Sequence, residues 1–239
     1  MPGSKAETRF VHVFIFKCSQ VAVLPLLCSE AVMAVVNLSF AACGFLGIYH
    51  LGTIDALLTH GHRLLSCLRA CTGASAGALV AAVLITAPDK LEHCKEFTYR
   101  FASNVRKQTL GAMTPGYDFM LELRGGIEHI LPPDAHLLAS ERLHVSLTNC
   151  RTGRNSMVSS FPSREHLIKV LLASSFVPLY AGVKPVEFQG QVSERERLSK
   201  RLSSELCVCV RVCLIHSELL QDGQFQPVCQ MAVCGCTLI

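Results

Sequence analysis

The feature that most restricts the fold of this chain is the pentapeptide at residues 73–77, Gly-Ala-Ser-Ala-Gly, which opens a long apolar run. A serine that attacks a carbonyl carbon must stand clear of its own backbone on a sharp turn from a strand into a helix. Such a turn leaves no space for side chains two residues to either side. The pattern therefore predicts a nucleophile elbow, and the alternative is an ordinary turn rich in Gly and Ala. The elbow would comprise the nucleophile Ser75 and its neighbours Gly73, Ala74, Ala76 and Gly77.

A helix is predicted directly after the elbow, from residue 76 to about residue 87. Its first backbone N–H groups have no partner within the helix, and its dipole places positive charge at the same end. Both effects would favour negative charge that develops on a substrate oxygen next to Ser75.

A second unit of strand, glycine turn and helix precedes the elbow. Residues 35–41 alternate and include β-branched side chains, as is typical of a strand, and residues 48–60 repeat apolar side chains at helical spacing. The glycine loop between them, which includes Gly47, would turn three N–H groups toward the Ser75 hydroxyl and form an oxyanion hole. These N–H groups belong to Cys43, Gly44 and Phe45.

The same order of elements also holds nucleotide phosphates in dinucleotide-binding folds. That alternative is disfavoured because Ala42 stands where the first glycine belongs. In addition, no acidic residue follows a second strand at the expected distance.

Strands and helices continue to alternate after the elbow. Helices are predicted from residue 88 to about 105, at 117–130 and from residue 163 onward, and strands at 143–148, 156–161 and 184–188. This order predicts an α/β sheet with helices on both faces. The alternation within 143–148 places His144 on the solvent side of its strand.

Composition narrows the class of protein. Half of the 239 residues are apolar and only 17% are charged, which argues against disorder. The net charge of +4 is scattered, so nucleic acid is not an expected partner. The 13 cysteines show no repeated spacing, and those before residue 151 lie mostly in apolar segments, which favours a reducing compartment. A zinc site among the later ones is disfavoured, because their spacings match no standard finger.

The first 32 residues are apolar but interrupted, and their longest clean run, at 21–28, is too short to span a bilayer. They resemble a signal peptide only loosely, since the small-residue cleavage pattern is poor. We therefore expect an N-terminal extension at 1–32 and a cytoplasmic protein rather than a secreted one.

Four segments together are similar to the patatin-like phospholipase family. They are residues 37–52, 73–77, 114–119 (Thr-Pro-Gly-Tyr-Asp-Phe) and 171–182. The resemblance covers residues 33–191, which defines the expected domain, and it leaves residues 192–239 as a divergent, cysteine-rich tail.

The resemblance implies a Ser–Asp dyad with Ser75 as nucleophile and the loop from Cys43 to Phe45 as the oxyanion hole. The implied substrates are neutral lipids and phospholipids, and the implied activities are triacylglycerol lipase, phospholipase, retinyl ester hydrolase or transacylase. No metal or organic cofactor is implied. The implied location is the surface of lipid droplets or membranes.

One departure from the family concerns the general base. The family's Asp-Gly-Gly or Asp-Gly-Ala is expected shortly after Gln191, where this chain continues Val-Ser-Glu-Arg-Glu. The sheet is therefore expected to be truncated at its C-terminal part. Asp222, in the only Asp-Gly of the chain, is the remaining candidate, but Asp-Gly is also a common turn dipeptide and Gln224 stands where a small residue belongs. We expect Asp222 to lie beyond hydrogen-bond distance of Ser75.

Two functions follow from the sequence. The first is a lipid acyl hydrolase that is impaired by the missing base motif. The alternative is an inactive protein that binds lipid surfaces or acyl chains.

Overall fold

The structure is a computed structural model in which residues 8–13, 35–148, 154–178, 180–182, 213–215 and 229–231 are described. Five strands form one sheet, in the order β1-β2-β3-β4-β5. They are β1 (Thr8–Val13), β2 (Val35–Phe40), β3 (Leu68–Gly73), β4 (Leu143–Thr148) and β5 (Asn155–Val158). Strands β1 to β4 are parallel and β5 is antiparallel to β4. A separate antiparallel pair consists of β6 (Cys213–Ile215) and β7 (Cys229–Met231).

Helices flank the five-stranded sheet. They are α1 (Gly47–His60), α2 (His62–Ser66), α3 (Ala76–Thr86), α4 (Leu91–Lys107), α5 (Phe119–Ile130), α6 (Ala135–Ala139) and α7 (Arg164–Ser175). The prediction of an α/β sheet flanked by helices is confirmed. The predicted strand at 184–188 lies outside the described residues.

The predicted elements lie close to the observed ones, and five others were not predicted, including β6 and β7 in the C-terminal tail. The helix expected at 76–87 is α3, and the helix expected from Ser163 is α7, whose N-terminus is capped by the Ser163 hydroxyl. Strand β1, which lies in the segment expected to be an extension, and the short helices α2 and α6 were missed. Five-residue helices are too short to show a periodic pattern.

The core is built around α3, which packs against β2, β3 and β4. Nearly every residue of this helix is buried, because it is apolar on all sides. The polar side chain of Thr86 is accommodated by donating to the Ala82 carbonyl at 2.8 Å.

Strand β4 is buried along almost its whole length, so both faces of the sheet are covered here. His144, predicted to lie on the solvent side, is the one residue of β4 that is not fully buried, although its ring is half-buried and burial lowers its pKa. The alternation of residues 143–148 predicted that one face of this strand is exposed to solvent. Instead, the Asn155 amide on β5 donates to the hydroxyls of Ser146 (2.8 Å) and Thr148 (3.2 Å), which allows both to be buried.

Helix α3 begins against the end of β2, and the contact is too close for a side chain. A Cβ atom on Gly77 would lie 2.6 Å from the Ala41 carbonyl oxygen and closer still to that of Phe40. Both obstacles are backbone atoms, so no side-chain rotation could relieve the clash.

We expect Gly77→Ala to lower the free energy of unfolding by about 1–3 kcal/mol, the range found for overpacking. The matched control is Gly52→Ala on α1, where nothing lies within 4 Å of the added methyl group. That change should raise the free energy of unfolding by about 0.5–1 kcal/mol, because alanine favours a helix interior. Urea denaturation of both variants measures the difference, and equal effects would contradict the proposed clash.

Candidate active site

Ser75 lies at the turn between β3 and α3, at the carboxyl edge of the sheet. Its backbone has φ 53° and ψ −128°, a conformation that non-glycine residues rarely adopt. Such a residue costs about 1–3 kcal/mol and persists only when its surroundings fix it. The residue is buried, with 8% of its surface exposed.

The glycines on either side of the serine are required by close contacts. Gly77 abuts the end of β2, and a Cβ on Gly73 would lie 2.5 Å from the Ala78 nitrogen and the Gly77 carbonyl oxygen. The chain therefore turns where backbone atoms pack so closely that there is no room for a side chain at either glycine.

The backbone N–H groups of the turn differ in their hydrogen-bond acceptors. Ala74 donates to the Phe40 carbonyl at 3.4 Å and Gly77 donates to the Ala74 carbonyl at 2.9 Å. Ser75 donates to the Ser174 hydroxyl at 2.8 Å, a partner that sequence analysis missed. The N–H group of Ala76 has no acceptor among the described residues, so it is open to a substrate oxygen.

The glycine loop follows β2 and forms one 3-10 turn, Gly44–Leu46, before α1. Gly44 has φ 54°, a left-handed conformation that glycine adopts without strain. The first N–H groups of a helical turn have no partner within it. Accordingly, the N–H groups predicted to form the oxyanion hole, those of Cys43, Gly44 and Phe45, meet no acceptor within the described part of the chain.

The loop and the serine turn lie side by side. Phe40 at the end of β2 is the register partner of Gly73 at the end of β3. A Cβ on Gly47 would lie 3.3 Å from that of Ala76, so the start of α1 contacts the start of α3. Two segments that carry N–H groups without described partners are therefore neighbours at this edge of the sheet.

His50 fixes the base of the glycine loop. Its ring is buried, with its Nε2 atom 3.1 Å from the Ala41 carbonyl oxygen, and it packs edge-on against Phe40. Burial lowers the pKa of His50, although the bond to Ala41 opposes the shift. The neutral tautomer with a proton on Nε2 donates to Ala41 and so connects α1 to the end of β2.

The cysteine thiols of the core are not suited to nucleophilic attack. Burial raises the pKa of Cys43, Cys71 and Cys94 to about 12 each, so all three are protonated at neutral pH. Cys43 is the only one of them in the glycine loop, and Ser75 is therefore the better candidate nucleophile of the two.

The Ser75 hydroxyl makes no hydrogen bond to any residue in the described part of the chain, and several of the described carboxylates have other partners. Asp118 accepts from the Leu121 N–H and caps α5, and Asp55 pairs with Lys95. Asp222 lies outside the described residues, so its expected distance from Ser75 remains a prediction.

An aromatic wall extends from the glycine loop, and sequence analysis did not identify it. Phe45 contacts Phe101 and Phe119, with ring centroids 5.4 and 6.4 Å apart, and Phe119 contacts Tyr180 at 5.5 Å. The four residues come from distant parts of the chain.

Two features are absent from the described residues. No three His, Cys, Asp or Glu side chains in them converge on a point that could hold a metal ion. None of the described helices combines the length and apolarity needed to cross a bilayer.

Comparison with known proteins extends the resemblance to named relatives. A family model described as "Patatin-like phospholipase" matches residues 38–199. The chain is 65% identical to human patatin-like phospholipase domain-containing protein 4 over 156 residues, which are 65% of this chain and 62% of that protein. It is 38% identical to rat patatin-like phospholipase domain-containing protein 2 over 154 residues, 64% of this chain and 32% of that one.

A further relative is human 1-acylglycerol-3-phosphate O-acyltransferase, 37% identical over 155 residues, 64% of this chain and 32% of that protein. The chain thus spans between about one third and three fifths of the length of these three relatives. The resemblance inferred from the sequence motifs is confirmed.

The buried His50 predicts a pH dependence of stability. Because its folded-state pKa lies below the ordinary value of about 6.5, the unfolded chain takes up this proton first on acidification. The free energy of unfolding should therefore be fully retained above pH 6.5 and fall below it, by up to about 1.4 kcal/mol per pH unit for this group.

His50→Gln tests this assignment, since glutamine can donate the same hydrogen bond and does not titrate. We expect the loss of stability between pH 7.5 and pH 5.5, measured by urea denaturation, to be smaller in the variant. An unchanged loss would show that His50 is not responsible. Half-buried His144 and His166, whose pKa values burial also lowers, should contribute the remainder.

Proposed function

Because the chain belongs to the patatin-like phospholipase family, we propose that it is a lipid acyl hydrolase with Ser75 as its nucleophile. The observation that carries the proposal is the left-handed backbone of Ser75 beside two sets of open N–H groups. Strain of this kind is concentrated at functional sites, and open N–H groups stabilise an oxyanion.

In this proposal the Ser75 hydroxyl oxygen attacks the carbonyl carbon of an ester. The negative charge that develops on the carbonyl oxygen is accepted by N–H groups of the loop from Cys43 to Phe45 and by that of Ala76. The tetrahedral intermediate then expels the alcohol and leaves an acyl-enzyme, which water hydrolyses.

The hydroxyl proton needs a base, and the family resemblance implies an aspartate. Asp222 is the only residue of this chain in an Asp-Gly pair, and it lacks the small residue that the family places next. We propose that hydrolysis is slow for this reason, since a serine without a base is a weak nucleophile.

The proposed substrates are neutral lipids and phospholipids. The aromatic wall of Phe45, Phe101, Phe119 and Tyr180 begins in the loop proposed to bind the oxyanion, so an acyl chain attached to the reacting carbonyl could lie along it. Apolar walls with few polar groups are typical of lipid pockets.

We also propose that the site faces a lipid droplet or membrane surface. Tyr49 in the first turn of α1 is 59% exposed, and Leu121 in the first turn of α5 is 64% exposed. The contact between Phe45 and Phe119 brings these two helix starts together. Exposed large apolar side chains beside an active site favour contact with an apolar surface.

The nucleophile is tested with Ser75→Ala. We expect the variant to lose at least about 10³-fold of the turnover of a p-nitrophenyl ester and of triolein, and to lose labelling by a fluorophosphonate probe. Residual activity equal to that of the unmodified chain would contradict the serine mechanism. Vesicle binding without any turnover by the unmodified chain would instead favour the inactive lipid-binding protein.

The lipid surface is tested with Tyr49→Glu and Leu121→Glu, each the third residue of its helix, where an acidic side chain suits the helix dipole. Both should reduce turnover of emulsified triolein several-fold and leave that of a soluble ester unchanged. The matched control is Leu137→Glu, also a third helix residue and 68% exposed. It lies on α6, which precedes β4 and therefore lies toward the amino edge of the sheet. Equal effects of all three changes would argue against a docking face beside Ser75.

A further inference from the structure

The Ser174 hydroxyl makes two hydrogen bonds at the serine turn. Ser174 lies in the last turn of α7 and is 2% exposed. Its Oγ atom accepts from the Ser75 N–H at 2.8 Å, across 99 residues of sequence, and donates to the Ser146 carbonyl of β4 at 2.9 Å. A hydroxyl can do both because it is at once a donor and an acceptor.

The position of this hydroxyl in the sheet is specific. In the parallel pairing of β3 with β4, Cys71 is opposite Leu143 and donates to the Arg142 carbonyl at 2.8 Å. Every second residue of a parallel strand repeats such a bond. Two such repeats, or four residues, beyond Cys71, the pattern would join the Ser75 N–H directly to the Ser146 carbonyl. The Ser174 hydroxyl stands between this donor and this acceptor.

We propose that Ser174 is a positioning residue that holds Ser75 in its left-handed conformation by replacing the next bond between β3 and β4. The strands separate by the width of one hydroxyl at this point, so the chain can leave the sheet and enter α3 with Ser75 turned outward. The consequence for catalysis rests on the function proposed above, whereas the contact between Ser174 and Ser75 is independent of that function.

The neighbouring N–H groups of the turn have partners of a different kind. Ala74 and Gly77 both donate to backbone carbonyls, so their bonds survive any side-chain change. The Ser75 N–H alone depends on a side chain. Removing that hydroxyl leaves the Ser75 N–H donor and the Ser146 carbonyl acceptor unpaired in a buried place.

The chain offers a matched control in the next residue. Ser175 is also buried, at 8% exposure, and its hydroxyl donates to the Leu171 carbonyl of its own helix at 2.9 Å. Ser174→Ala and Ser175→Ala therefore delete the same group from adjacent buried positions, and only the first removes a contact to Ser75.

The first measurement is amide hydrogen exchange of the full chain, followed in peptides that cover residues 73–78. Ser174→Ala should speed exchange in this segment by about 10-fold or more relative to Ser175→Ala, since the lost bond protects the Ser75 amide. Ser174→Thr should restore the protection because it retains the hydroxyl. Equal exchange in the two alanine variants would overturn the proposal, whether or not the chain turns over esters.

The second measurement is turnover of a p-nitrophenyl ester together with the rate of fluorophosphonate labelling. Ser174→Ala should lower kcat and the labelling rate by about 10- to 100-fold with KM nearly unchanged, whereas Ser175→Ala should lower neither. A change in KM with kcat unchanged would count against a positioning role. If the unmodified chain is not labelled while the exchange contrast is present, the proposed function fails and the positioning contact stands.

A folding defect would not obscure the result. If Ser174→Ala does not fold, Ser174→Thr and Ser174→Cys replace it, because cysteine matches serine in shape but forms weaker hydrogen bonds. Exchange at 73–78 should then rank Thr below Cys, and the reverse order would overturn the proposal.

Discussion

The left-handed backbone of Ser75 is the constraint on which the rest of the site depends, because it is a strained conformation that persists only when its surroundings fix it. Three neighbours fix it. Gly73 and Gly77 allow β3 and α3 to meet through backbone atoms alone, and Ser174 satisfies the N–H group that the turn removes from the sheet. The free energy gained by burying α3 and α7 against the central strands therefore offsets the strain at Ser75.

The electrostatics of the site come from backbone amides rather than from charged side chains. The loop at 43–45 and Ala76 present N–H groups without described partners, while His50 and Cys43, two titratable groups on α1 and on the loop, are held neutral by burial. Fixed dipoles of this kind need no reorganisation when charge develops on a substrate oxygen. Apolar rings complete the surroundings, so the dipoles act in a medium that screens them weakly.

The glycine loop and the serine turn are coupled through the core rather than through each other's side chains. The buried ring of His50 connects α1 to the end of β2, and Gly47 lets α1 touch α3. A shift of α1 would therefore move the N–H groups of the loop relative to Ser75. This makes the packing between α1 and α3 part of the site geometry, although none of its residues is proposed to react.

The sequence by itself determined the positions of Ser75, of the glycine loop and of most helices and strands, because each depends on local chemistry. Examples are a serine between glycines, a capping hydroxyl at Ser163 and an apolar repeat at helical spacing. It did not reveal the strand β1, the half-burial of His144 or the aromatic wall. Only the tertiary structure assigned Ser174 to Ser75, since the two are 99 residues apart and nothing local distinguishes Ser174 from Ser175. The register of β3 on β4 and the direction of α7 decide which of two adjacent hydroxyls reaches the turn.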